Sequence, residues 1–112
     1  MGAPIQIFGT KKCKDTQKAL RFFMERRVDI QFIDLTEKAF SKGELESITR
    51  NVQPEELIDK DGKRFDNKNM QYMVYDPFEE ILNDPLLAKT PVVRLKNKAF
   101  AGYDPDGWKT FI

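Results

Sequence analysis

The chain has 112 residues, with 19 basic and 18 acidic side chains, one cysteine and no histidine. That length suits a single domain, and 40% hydrophobic residues, with 12% aromatic, suffice to fill one core. A net charge of +1 excludes the basic surface of a direct nucleic-acid binder. The missing histidine removes Ser-His-Asp and Cys-His catalysis, and the lone cysteine removes an intramolecular disulfide and any multi-cysteine zinc site, so no metal is expected.

Met1-Gly2-Ala3-Pro4-Ile5 carries no basic region and no long apolar run, so no secretory leader is expected. Gly2 fits the start of a myristoylation pattern, but Gln6 stands where Ser or Thr is required. No apolar run exceeds four residues, far short of the ~20 needed to cross a bilayer. A lone free thiol suits a reducing compartment, so the expected location is cytoplasmic.

In chain order, Pro4-Ile5-Gln6-Ile7-Phe8 alternates and then turns wholly apolar before Gly9, which predicts a short buried strand. From Asp15 the period becomes helical, with Thr16, Ala19, Leu20 and Phe23 on one face and Arg26 and Arg27 in the last turn. Ile30, Phe32, Ile33 and Leu35 predict a second buried strand. Strand, helix and strand within about 30 residues make a βαβ unit with parallel strands.

Residues 36–88 read as a small helical insertion within the one domain, 1–112. Ser41-Lys42-Gly43-Glu44 has capping-box spacing, and Leu45 and Ile48 supply the apolar face that follows. Asn51 to Pro54 breaks that helix, Glu55-Glu56-Leu57-Ile58 makes a short turn, and Asp61-Gly62 marks a bend. Met70, Tyr72, Met73, Val74 and Tyr75 form an apolar-aromatic cluster expected to join the core. Asp76-Pro77-Phe78-Glu79 opens another helix, which Asn83-Asp84-Pro85 ends. Two short strands follow, Pro91 to Leu95 and Lys98 to Gly102, joined by Lys96-Asn97 with Asn97 as the left-handed residue. Asp104-Pro105 then caps a last short helix carrying Trp108 and Phe111.

Cys13 falls between the first strand and the first helix, where free amides and the helix dipole stabilise a thiolate. Lys11, Lys12 and Lys14 flank it and add positive potential, screened where they are exposed. Such settings lower a thiol pKa from a reference near ~8.5 to about 3.5–7.5. Spacing alone leaves two readings open, this nucleophile and a small buried inert cysteine.

The order β-α-β then β-β-α, with three segments, resembles the arsenate reductase (ArsC) and Spx family of thioredoxin-like proteins. The segments are Ile7 to Ala19 around Cys13, Leu57 to Phe65, and Ile81-Leu82-Asn83-Asp84-Pro85-Leu86-Leu87 running into Thr90-Pro91-Val92-Val93. The resemblance implies an α/β thioredoxin-like fold with a small mixed sheet. It also implies Cys13 as nucleophile, Thr16 where dithiol members place a second cysteine, and Pro91 as a cis-proline opposite the cysteine. Thr90, before that proline, would offer backbone groups to an extended thiol substrate. The thiol-binding set is then Lys12, Lys14, Thr16, Thr90 and Pro91.

Ala99-Phe100-Ala101-Gly102-Tyr103-Asp104 looks like the closing segment of glutaredoxins, which makes Gly102 and Asp104 candidate glutathione contacts. A strand-ending glycine and a helix cap explain the same two residues. Two positions depart from the arsenate reductases, which carry arginine where Thr90 and Asp59 stand. Convergent arginines are the usual cradle of a tetrahedral oxyanion, so true arsenate reduction is not expected. Arg64 and Arg94 are the remaining candidates to reach Cys13.

The expected function is therefore a monothiol C-x-x-T oxidoreductase. No cofactor is tightly bound, glutathione or a protein thiol resolves Cys13, and the chain is a monomer without nucleic-acid or membrane partners. The alternatives are an Spx-like, non-enzymatic regulator that binds the RNA polymerase α subunit, and a redox-inactive interaction module.

Overall fold

The computed structural model describes residues 4–112; the reading of Met1-Gly2-Ala3 falls outside them. Strand β1, Ile5–Gly9, is followed by helix α1, Lys14–Glu25, and strand β2, Ile30–Asp34. Helices α2, Lys42–Thr49, α3, Pro54–Leu57, α4, Lys63–Asn67, and α5, Pro77–Asn83, come next. Strand β3, Val92–Leu95, strand β4, Lys98–Ala101, and helix α6, Pro105–Lys109, close the chain. The four strands lie in the order β2-β1-β3-β4. β1 runs parallel to β2 and antiparallel to β3, and β3 and β4 form the hairpin.

The two-residue period of the strands divides the apolar side chains between two cores. Ile5, Ile7 and Val93 face α1 and α6, joining Ala19, Phe23 and Trp108. Phe8, Val92, Ile33 and Leu35 face the other way, onto Leu45, Ile48, Leu57, Phe65 and Ile81. A central strand covered on both faces must be apolar on both, which explains the pattern of β1. Residues 36–88 thus pack directly on the sheet. Burying each of these large side chains contributes roughly 1.5–3 kcal/mol.

Local signals place the helix starts. The capping box at Ser41 and Glu44 is formed in both directions, and the Asp76 carboxylate accepts from the Phe78 amide. Several details differ from the sequence reading. α1 ends at Glu25, so Arg26 and Arg27 lie beyond its last turn; Arg26 Nη1 reaches back to the Phe22 carbonyl at 3.0 Å. The left-handed turn residue is Lys96, at φ 55°, rather than Asn97, whose carbonyl accepts from Asn51 Nδ2 at 2.6 Å. α4 and the single helical turns at Met70–Tyr72 and Pro85–Leu87 are too short to leave a periodic pattern. Of the apolar-aromatic cluster, Met70 is buried and Tyr75 half-buried, but Tyr72, Met73 and Val74 face solvent.

Asp84, at the end of α5, is the most buried carboxylate, 8% exposed. Burial opposes its ionisation, but hydrogen bonds from Arg64 and Lys68 outweigh this and hold the carboxyl below the usual range. Arg64 Nε meets both carboxylate oxygens at 2.9 and 2.7 Å, and Lys68 Nζ reaches one at 2.7 Å. Both cations are half exposed, so solvent screening limits the gain. Asp84→Asn should cost about 1–2 kcal/mol at neutral pH, read from the urea midpoint. Because the folded pKa is depressed, this contribution is present above the unfolded carboxylate pKa of about 3.9 and is lost as pH falls through the folded value. The two proteins should therefore converge in stability in strong acid.

Candidate active site

The pairing of β1 with β3 sets Phe8 opposite Val92. It therefore brings the loop after β1 against Thr90-Pro91, 77 residues later in the chain from Cys13 to Thr90. The Thr90–Pro91 peptide is cis, and Pro91 is buried. Thr90 Oγ1 donates to Cys13 Sγ at 3.0 Å, and the sulfur lies 3.8 Å from the Thr90 carbonyl. This hydroxyl contact is what the sequence reading missed, since it assigned Thr90 a role through its backbone.

Cys13 occupies the N-cap position of α1, with its amide bonded to the Thr10 carbonyl at 3.2 Å. The thiol makes no full cap bond, so the amides of Asp15 and Thr16 act on it as oriented dipoles. Thr16 is fully buried, and its hydroxyl has no hydrogen-bond partner among the described residues. A Cβ on Gly9 would collide with the Thr16 side chain, which explains the glycine at the end of β1. Burial of the sulfur opposes ionisation, yet the hydroxyls of Thr16 and Thr90 and the amides of Thr16 and Asp15 together outweigh it. The Cys13 pKa therefore lies below the ordinary thiol value.

Lys11, Lys12 and Lys14 are exposed, and none is among the groups that lower the thiol pKa. Solvent screens such exposed charges. Asp34, kept low chiefly by the Thr36 hydroxyl and amide, is the group that senses Lys11. Thr10, Lys11, Lys12, Asp34, Thr36 and Leu86 line a groove of about 330 Å³ on the loop preceding Cys13. A larger depression on α1, about 510 Å³, contains Gln17, Leu20, Arg21, Met24 and Glu25 but no nucleophile.

Both candidate arginines are bonded to groups other than the sulfur. Arg64 is bonded to Asp84, and Arg94, on β3, is bonded to Ser47 Oγ at 3.3 Å and to Gln6 Oε1. Gly102 lies beside the site, its amide donating to the Pro91 carbonyl at 2.8 Å with φ 79°. Asp104 caps α6, its carboxylate accepting from the Gly107 amide at 3.1 Å. Among the described residues there is no group of three or more Cys, Asp or Glu side chains that could hold a metal ion. No helix among them is long and apolar enough to cross a membrane.

Similar arrangements of helices and strands occur in solved structures. An ArsC-family-related protein from Bacteroides fragilis superposes with TM-score 0.87 over the full length of both chains, at 13% identity. The fold is that of the ArsC-like proteins. An arsenate reductase from Vibrio cholerae gives TM-score 0.83, also over both full chains, at 16% identity. A protein of Staphylococcus aureus is 26% identical, with TM-score 0.75 over 95% of this chain and 96% of its own. No protein-family model and no curated protein matches the sequence.

The ArsC-like fold thus presents a thiol held by neutral donors. Iodoacetamide alkylation as a function of pH tests this assignment. Thr90→Val should raise the apparent pKa of Cys13, because it removes a hydrogen bond to the anion. Lys11→Gln and Lys12→Gln should leave it essentially unchanged, as expected for screened surface charges.

Proposed function

We propose that this chain is a monothiol, thiol-dependent oxidoreductase in which Cys13 is the nucleophile. The observation that carries the reading is the contact from Thr90 Oγ1 to Cys13 Sγ at 3.0 Å, at a helix N-terminus and beside buried Thr16. A thiolate so placed attacks an oxidised sulfur without any histidine. The new Sγ–S bond forms as the substrate disulfide breaks, and its other half leaves as a thiolate. With one cysteine in the chain, an external thiol must complete the cycle. Glutathione is the reductant we assign, with a cytoplasmic setting that keeps it reduced. Among the described residues the Thr90 amide makes no backbone hydrogen bond, so it can pair with an extended substrate, and its carbonyl, which faces the Cys13 thiol, becomes available once that thiol ionises. Lys12 and Lys14, at the rim, and Gly102, bonded to Pro91, border that approach. Asp104 is already engaged as a cap, and we give it no part in binding.

Disulfide substrates suit this site better than tetrahedral oxyanions. An oxyanion requires convergent charged donors, and both Arg64 and Arg94 are bonded elsewhere. Glutathione-dependent reduction of a small mixed disulfide should be measurable with wild type and abolished by Cys13→Ser. Arsenate should give no turnover under the same conditions. Full disulfide-reducing activity in the serine variant would overturn the assignment.

A further inference from the structure

Two hydroxyls lie near one sulfur here, only that of Thr90 is bonded to it, and they differ in access. Thr90 is half-buried at the mouth of the site, while Thr16 is fully buried and its hydroxyl lacks a formed partner. A buried donor without a partner carries a desolvation cost that is recovered only when an acceptor meets it. The one acceptor beside it that changes charge during thiol exchange is Cys13 Sγ. As a neutral thiol or in a disulfide, sulfur is a weak acceptor; as a thiolate it is a strong one.

Resting on the thiol-exchange reading, we infer that Thr90 and Thr16 are positioning residues for the second half of the cycle, in which Cys13 is the leaving group. In that step an external thiolate attacks the substrate-derived sulfur of the mixed disulfide. A new disulfide forms between those two sulfurs, the Cys13 Sγ–S bond breaks, and its electron pair stays on Sγ as thiolate. The external thiol is oxidised and Cys13 is reduced. The hydroxyls meet the developing charge on Sγ, so they speed departure. They confer no equal benefit on the attacking step, because a thiolate stabilised in this way is also the weaker nucleophile. The geometry is thus matched to a chain that depends on outside thiols for its release.

The experiment isolates release from formation. The Cys13 mixed disulfide is made with a methanethiosulfonate reagent, and its reduction by glutathione is followed by mass spectrometry. Thr90→Val and Thr16→Val should each slow release by about ten-fold, and Thr90→Ser should restore it. At a pH where every variant is fully ionised, attack of Cys13 on a small disulfide should be as fast in the valine variants as in wild type, or faster. Release at the wild-type rate in both valine variants would overturn this inference while leaving Cys13 as the nucleophile. Failure of wild type to turn over glutathione and a disulfide would instead overturn the functional reading.

Discussion

The antiparallel pairing of Phe8 with Val92 is the constraint on which the rest of this site depends. β1 delivers the Cys13 loop and β3 delivers Thr90-Pro91, and only their alignment brings a hydroxyl to 3.0 Å from the sulfur. The alignment itself is maintained from both faces, by Phe8 and Val92 in one core and by Ile7 and Val93 in the other. A one-residue slip would exchange the faces and separate the two halves of the site. Packing far from the chemistry therefore sets the geometry at the thiol.

The electrostatics follow from what each charged group is already doing. Arg64 and Lys68 neutralise Asp84 where α5 meets the following turn, and Arg94 ties β3 to Gln6 and Ser47. These cations are engaged in holding the scaffold. What remains beside Cys13 is neutral: two hydroxyls and the first amides of α1. Neutral donors stabilise a small anion at short range without attracting a multiply charged one. The proposed preference for a disulfide over an oxyanion rests on Arg64 and Arg94 being bonded elsewhere.

Much of this was legible in the sequence because the signals are local. The alternation at Ile5 to Phe8, the helical face of Thr16, Ala19 and Phe23, and the caps at Ser41, Asp76 and Asp104 each lie within a few residues. Thr16 was also placed correctly, on the helix face that meets the sheet. The parts that could not be read depend on distant partners. Nothing near Arg64 in sequence specifies Asp84 as its partner, and the Thr90 hydroxyl acquires its role only through strand pairing. The flanking lysines show why sequence adjacency is not enough. They are adjacent to Cys13 in sequence, but exposure disperses their charge into solvent.

The most direct measurement is the ultraviolet absorbance of the Cys13 thiolate as a function of pH, in wild-type protein at low and at high salt. The expected result is an apparent pKa below the reference of about 8.5, unchanged by salt, because hydrogen bonds at contact distance are not screened. A pKa at or above that reference, or a low value that climbs as salt is added, would contradict a thiolate held by Thr90 and Thr16.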